Sequence, residues 1–560
     1  MTPPAAVPCL ISLRILGALT RDAGAVRKRS SSPATEMTRS LREPALCADW
    51  ASSKAGTART ARAAGRKRNK PDFTVPSGDP VDNRLLGYVP ILRRLAVLLA
   101  VGLLCALYLA DLTGMGMYGP DEPRYADVGR AMAQSGDWVT PRLWGQPWFE
   151  KPALLYWMTA AGFRAGLGPD LAPRLPVAIL SILFLSFFWW RLKLEWDQRA
   201  ASCATAMLAT SAGWLAYSHV AVTDLPLAAF FSAAVLLSLP WMGRGDRTTL
   251  PAAAACLGLA AMAKGLVPLV LFVPVLAIGW RRLGDWFRPG PLLAFSVCSL
   301  PWYILCTIRN GSEFLRVFFV EQHFGRFRSA ALQHVQPPWF YLPILLLLLY
   351  PWFPLLVVLP ANIRANIRDD TRVRTLGAVV VFGFVFFSAM VNKLPGYLLP
   401  LVPAAFALLG LGVSRAKRPA IILIAPLVPS FLLLGALPLI SRLAPVALTH
   451  GPGLGGFAVD IRAGSWLIAA GIAGFILARF APKQAFGAAA ALAGLGFLWF
   501  QFATFPQFDA LASARPMWLA DRPRCAPAVS RDILYGLYYY SGHQISACPV
   551  LDRSATRVVR

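Results

Sequence analysis

Between Tyr118 and Pro152 the chain reads YGPDEPRYADVGRAMAQSGDWVTPRLWGQPWFEKP, where the carboxylates Asp121, Glu122 and Glu150 and the cations Arg124 and Lys151 stand among aromatic residues. A carboxylate beside fixed cations can orient a nucleophile and accept its proton while the cations receive a departing anion. Asp121-Glu122-Pro123 reads as a helix start, because proline is tolerated in a first turn and acids there favour the helix dipole. Tyr125, Val128 and Met132 then share one face, and Gly136 closes the helix. Residues 137–147 read as extended loop. Pro152 begins a second helix with Leu155, Met158 and Gly162 on one side, ending near Gly166. Two short interfacial helices joined by a loop bring Asp121, Arg124 and Lys151 near one another; the plainer reading of the same residues is an amphipathic connector with solvated charges.

The elements that must position these groups are membrane spans. Of 560 residues, 56% are hydrophobic and 15% charged, and the mean hydropathy is +0.52, which places the chain in a bilayer. The net charge of +27 does not point to nucleic acid, because the excess sits in the N-terminal tail and in short loops between apolar runs. Residues 1–85 read as a basic, disordered tail on anionic lipid. Its apolar stretch Val7–Leu19 is interrupted by Arg14 and too short to span. A transit-like peptide, or translation from Met37 or later, are the other readings of that tail.

Within a transmembrane domain of 86–505, spans are expected near 91–111, 172–190, 199–218, 225–242, 250–264, 266–280, 291–308, 339–360, 375–391, 397–413, 419–440, 464–480 and 485–504. That is about thirteen crossings. Arg93/Arg94, Arg191/Lys193/Arg199, Arg244/Arg247, Arg281/Arg282, Arg364/Arg368/Arg372/Arg374, Arg415/Lys417/Arg418 and Arg479/Lys483 then all fall on the cytoplasmic side. The loop 112–171, the turn before Asp224, Lys264, the loop 309–338, the Asn392-Lys393 turn and the tail 506–560 fall on the outer side. A charge at mid-membrane costs roughly 2.5–3.5 kcal/mol or more, so acids and lysines at span ends are cheaper there and gather on one face.

The tail 506–560 reads as a small outer α/β domain capping that face, with Ile533–Tyr540 as a strand. Cys525 and Cys548 lie on the same side, where a disulfide forms if geometry allows, which spacing alone leaves open. The other cysteines show no metal-ligand spacing and read as free apolar thiols.

Several of these segments carry a resemblance. Tyr118-Gly-Pro-Asp-Glu-Pro-Arg-Tyr125, Ser135-Gly-Asp-Trp-Val-Thr-Pro141, Phe149-Glu-Lys-Pro152, Arg174-Leu-Pro176, Thr223-Asp-Leu-Pro226, Ala263-Lys-Gly265, Glu321-Gln-His-Phe-Gly-Arg-Phe327, Gln336-Pro-Pro-Trp-Phe-Tyr341 and Lys393-Leu-Pro-Gly-Tyr-Leu-Leu-Pro400 resemble polyprenyl-phosphate-dependent glycosyltransferases of the GT-C type. The match is to the lipid A aminoarabinose transferases, related to protein O-mannosyltransferases, and covers roughly 90–410; the basic tail lies outside it. The resemblance implies an all-α polytopic membrane fold with outer amphipathic helices. It also implies transfer of a sugar from a polyprenyl (undecaprenyl) phosphate to a lipid A, protein or other envelope acceptor, at the periplasmic face of the bacterial inner membrane. By motif, Asp121 is the catalytic carboxylate and Asp224 a second acid. Glu122 is a further candidate, for which a helix-start role is the alternative. Arg124, Lys151, Arg326 or Arg328, Tyr397 and Lys393 hold the lipid phosphate. Some relatives use a divalent metal, for which Glu150 and His323 are the candidate ligands; His334 reads as a loop hydrogen-bonder.

A phosphate leaves readily, so a protonated acid is needed less than in glycoside hydrolysis, and adjacent Asp121 and Glu122 do not face each other across a substrate as a hydrolase pair does. The alternatives from other classes are a multi-span transporter or flippase, whose ionisable groups belong nearer mid-membrane in repeated halves, and a membrane protein that binds the lipid without transferring sugar.

Overall fold

The computed structural model describes residues 83–325, 336–358, 369–415, 419–442 and 462–548. The expectations for residues 1–82, Arg326, Arg328 and His334 fall outside these, as does the side chain of His323. Of the described residues, 83–98 group apart from 99–548, and the latter hold the site.

The helices run in the order α1 (Asn83–Leu109), α2 (Asp121–Ser135), α3 (Leu154–Arg164), α4 (Leu171–Glu195), α5 (Gln198–Ala209), α6 (Ala212–Ser218), α7 (Asp224–Arg244), α8 (Leu250–Lys264), α9 (Val267–Leu271), α10 (Val273–Ile278) and α11 (Pro289–Leu315). They continue with α12 (Tyr341–Leu349), α13 (Thr371–Ala389), α14 (Val402–Ser414), α15 (Pro419–Gly435), α16 (Arg462–Phe480), α17 (Pro482–Ala512), α18 (Arg515–Asp521) and α19 (Arg531–Ser541). Six of the described helical stretches are long and apolar enough to cross a bilayer: 171–195, 224–244, 289–322, 371–389, 395–414 and 484–512. Shorter or broken helices occupy the other expected spans. The chain is a multi-pass, helical membrane protein. The windows in 224–244 and 395–414 are 94% buried and form the bundle centre, whereas that in 289–322 is 22% buried and offers side chains such as Val297 and Ile308 to lipid.

The breaks have local causes. The expected span 199–218 divides into α5 and α6 at Thr210-Ser211. There Trp352 Nε1 donates to Thr210 O (3.3 Å), and the Ala212 amide donates to the Tyr350 carbonyl (2.8 Å), so these freed backbone groups are satisfied inside the protein. The expected span 266–280 divides into α9 and α10, each with proline in its first turn, where the ring removes a donor and crowds the turn before it.

In the loop after α1, α2 begins at Asp121 and is closed by Gly136, whose left-handed φ of 72° lets its amide cap Met132 O. Tyr125, Val128 and Met132 are buried as the periodicity requires. Residues 137–147 are more ordered than an extended loop: Arg142–Leu143 (β1) pairs antiparallel with Gln146–Pro147 (β2) across Trp144-Gly145, both at positive φ, the turn that matches strand twist.

Glu122 ties this loop to the bundle. Its carboxylate takes Arg174 Nε (2.7 Å) and Nη2 (2.8 Å), the Tyr118 amide (2.8 Å) and the Ala221 amide (2.9 Å). Arg174, in α4, also donates to Leu112 O (2.9 Å), Gly116 O (2.8 Å) and Met115 O. Both side chains are essentially inaccessible, and one ion pair thereby holds four segments together.

The tail departs from expectation. Ile533–Tyr540 belongs to α19, and the tail carries helices and a disulfide loop where an α/β domain was expected. Asp532 in the first turn and Gly542 at φ 80°, whose amide reaches Tyr538 O and Tyr539 O, are helix-end signals that outweigh the strand preference of tyrosine and isoleucine. Cys525 and Cys548 are bonded, beside a single bridge between Ala526 and Ala547. Leu537 packs with Ala514, Ala526 and Ile545. Arg515 fixes the tail to the first loop, donating to Asp170 (3.1 Å), Asp509 (2.7 Å) and Thr113 O (2.6 Å).

Arg174→Met strands a buried carboxylate and is expected to lower stability by about 3–5 kcal/mol. Thermal unfolding in detergent checks this, and Glu122→Gln added to it should recover most of the loss; an unchanged midpoint in the single variant contradicts the role given to the pair.

Candidate active site

Asp121 stands at the first residue of α2, one position before the anchored Glu122, so its carboxylate faces a cavity of about 200 Å³. Arg124, one turn along, is fixed by Nε to Pro120 O (2.9 Å) and by an ion pair to Asp121, and it reaches Glu150 at 3.4 Å. Burial acts to lower its pKa, but Glu150 and Asp121 outweigh burial and hold it above the ordinary arginine value. Its guanidinium also lies 5.5 Å from the Trp148 ring and 5.3 Å from the Tyr535 ring. Lys151 pairs with Glu150 at 2.9 Å.

Across the cavity, Asp224 at the start of α7 accepts from Lys264 at the end of α8 (2.7 Å), and the same ammonium lies 4.7 Å from the Tyr397 ring. Gly396 permits this approach: a Cβ there would come within 2.4 Å of Asp224 Oδ1 and 2.7 Å of the Tyr217 hydroxyl. Tyr125, Thr223, Gln322, Asn392, Leu394 and Arg531 are the other described lining residues. Among the described residues, four cations against three carboxylates leave the space net positive. It adjoins a second cavity of about 80 Å³ that shares Glu150, Lys151, Lys264, Gln322 and Tyr397 and is otherwise walled by apolar side chains including Leu227, Val267, Phe386, Phe387 and Met390. A polar chamber opening into an apolar one suits an amphiphile with an anionic head.

Asp121, Asp224, Arg124, Lys151, Tyr397 and Glu150 are therefore brought together. Glu122 is not among the lining residues: it lies behind Asp121 in its ion pair with Arg174. Lys393 is buried outside the lining too. Its ammonium donates to Gln336 O (3.0 Å) and to Met390 O, and burial lowers its pKa. Glu150 sits between two cations, and among the described residues no three His, Cys, Asp or Glu side chains converge as metal ligands. Lys264, Gln322, Asn392 and Arg531 went unassigned in the sequence reading. Lys264 was legible as an outer span-end charge; Arg531 was not, because its place depends on how α19 folds back.

α19 covers one side. Trp144 packs on Tyr535 (5.4 Å) and Tyr538 (5.2 Å), Arg130 donates to Tyr539 O (2.8 Å), and Tyr540 donates to Asp170 (2.7 Å). Asp532 is pushed up to about 6 by burial and by Asp121, against the pull of Arg531.

Residues 94–329 match the family model described as dolichyl-phosphate-mannose-protein mannosyltransferase. The undecaprenyl phosphate-alpha-4-amino-4-deoxy-L-arabinose arabinosyl transferase of Edwardsiella ictaluri is 33% identical over 323 residues, 54% of this chain and 57% of that protein. A Pseudomonas fluorescens protein of the same name, numbered 2, is 35% identical over 333 residues, 55% and 54% of the two chains. The match thus spans little more than half the length of these curated relatives. Among solved structures, ArnT from Cupriavidus metallidurans bound to undecaprenyl phosphate superposes with a TM-score of 0.66 over 81% of this chain and 86% of that one, at 23% identity. The chain has the fold of the Cupriavidus protein. In sequence it resembles the undecaprenyl-phosphate aminoarabinose transferases.

An unfolded aspartate titrates near 3.8, so the native chain binds the Asp532 proton more tightly and loses stability as pH rises from about 4 to 6. Asp532→Asn is expected to raise the unfolding temperature above pH 6 and to leave it unchanged near pH 4. Melting curves across that range check this, and a variant equal to the parent at pH 7 contradicts the assignment.

Proposed function

We propose that this chain is a membrane glycosyltransferase that moves a sugar from a polyprenyl phosphate to an acceptor on the outer face of the bacterial cytoplasmic membrane. The acceptor is lipid A, a protein or another envelope molecule. The observation that carries this reading is the net-positive chamber with Asp121 at its wall, continuous with an apolar one. The names of the relatives and the lipid bound to the Cupriavidus protein support the donor class.

In the proposed reaction the prenyl chain lies along Leu227, Phe386, Phe387 and Met390, and the phosphate lies between Lys151, Lys264 and Arg124. The acceptor hydroxyl enters beside Asp121. Its oxygen bonds to the anomeric carbon as the bond from that carbon to the phosphate oxygen breaks, and its proton passes to Asp121. The products are glycosylated acceptor and polyprenyl phosphate, whose added charge the cations offset. Arg124 has two tasks, aiming Asp121 through their ion pair and facing the leaving group. Asp224 positions Lys264 in the same way. Glu122 is the support that fixes Asp121, and an arginine of 326–328 remains a candidate for the phosphate.

Asp121→Asn is expected to lower turnover by about 100-fold or more while leaving donor binding within a fewfold of the parent. Lys151→Ala should raise the donor KM more than it lowers kcat. Transfer assays on purified protein with labelled lipid-linked sugar separate the two, and an Asp121→Asn enzyme at parental speed would remove that residue from the mechanism.

A further inference from the structure

The end of the bundle away from the chamber carries a second set of charges. α7 starts at Asp224 on the chamber wall and runs 21 residues to Arg244, about 30 Å at 1.5 Å per residue and close to the thickness of a bilayer's hydrocarbon core. α8 returns from Leu250 to Lys264, again at the chamber, so the turn 245–249 lies at the far end. The short helical segment Trp280–Phe287 packs there. Trp286 lies 5.9 Å from the Trp241 ring, and a Cβ on Gly279 would come within 2.2 Å of the same indole.

Asp285, 6% exposed, organises this end. One carboxylate oxygen accepts from Trp241 Nε1 (3.0 Å), and the other faces Arg247 Nε (2.9 Å) and Arg288 Nε (3.3 Å). These two arginines come from different segments and their side chains are 50% and 56% exposed, so the outer end of each guanidinium is open to a further anion. Arg282 donates to Trp241 O (3.2 Å), Arg281 lies 5.5 Å from the Trp280 ring, and Arg244 faces Glu195 at 3.6 Å. Arg247, Arg281, Arg282 and Arg288 against Asp246 and Asp285 leave the patch net positive. Trp280 and Phe287, 66% and 65% exposed, flank the arginines. Large aromatics left exposed at the end of a spanning bundle belong to the headgroup layer, where a ring meets lipid on one side and water on the other.

We propose that this end of the bundle binds the headgroup of an anionic phospholipid, its phosphate between Arg247 and Arg288 and its glycerol end beside Trp280 and Phe287. The charge selects the headgroup: a choline or ethanolamine cation would stand against four guanidinium groups, whereas an anionic lipid brings no such cation. The exposed aromatics select a lipid over a soluble anion, because they place the arginines at the membrane surface. The proposal needs the membrane fold alone and is independent of the glycosyltransferase reaction.

The test is photolabelling of the full-length chain in phosphatidylcholine nanodiscs, followed by peptide mapping. Two probes are compared at equal trace amounts, a phosphatidylglycerol and a phosphatidylcholine with the same diazirine near the glycerol end of one acyl chain. Phosphatidylglycerol is expected to label residues 273–293 about fivefold more than phosphatidylcholine, with a ratio near one at Val381 and Val385, which face lipid on α13. Arg247→Gln with Arg288→Gln should bring the ratio at 273–293 to near one and leave labelling of 381–385 unchanged, which also reports that the variant is folded. A ratio near one in the unmodified chain, an equal excess at 381–385, or an excess that survives the double substitution overturns the proposal. So does displacement by inorganic phosphate beyond that caused by sodium chloride at the same ionic strength, which would mean a soluble anion. The comparison on the unmodified chain decides the matter even where the variant does not fold.

Discussion

The fork between Glu122 and Arg174 is the constraint on which the site depends. A carboxylate and a guanidinium withdrawn from water are stable only if nearly every donor and acceptor is met, and here Tyr118, Ala221, Leu112, Met115 and Gly116 supply the remaining partners. Those partners come from the approach to α2, the turn before α7 and the end of the first span, so satisfying one ion pair fixes their mutual positions. Asp121 inherits its place from this arrangement, being one residue from the fixed point and exposed where Glu122 is sealed.

Charge in the chamber is arranged as paired acids and bases. Asp121 with Arg124, Glu150 with Arg124 and Lys151, and Asp224 with Lys264 each hold a side chain in one geometry before substrate arrives, and the surplus cation leaves the field favourable to an anion. Preorganised groups need little rearrangement as charge develops, which is the usual advantage of a fixed site over water. In the proposed reaction the neighbouring apolar chamber solves a different problem, keeping a prenyl chain in a lipid-like environment while its head meets the cations.

Much of this was legible in the chain. Hydropathy marked the six stretches that are long and apolar enough to cross a bilayer but not the breaks in the others, and the expectation that Asp121, Asp224 and Lys264 share one side agrees with the cavity that gathers them. The first loop announced its helix through Asp121-Glu122-Pro123 and Gly136. Three things were not legible. Glu122 and Asp121 are chemically alike and adjacent, and only the position of Arg174, 52 residues on, separates support from site. Lys393 carries the right charge, but its ammonium turns to main-chain carbonyls. The tyrosine-rich stretch after Ile533 has strand composition, yet its end signals and its packing on α2 make it a helix that delivers Arg531 to the chamber.

Transfer differs from transport or simple binding in its stoichiometry. Proteoliposomes containing the chain, loaded with polyprenyl-phosphate sugar and given acceptor on the outer side, should release one polyprenyl phosphate for each acceptor glycosylated, with no product when acceptor is supplied on the inner side alone. Lipid-linked sugar that crosses the bilayer or stays bound with the sugar–phosphate bond intact would contradict the account.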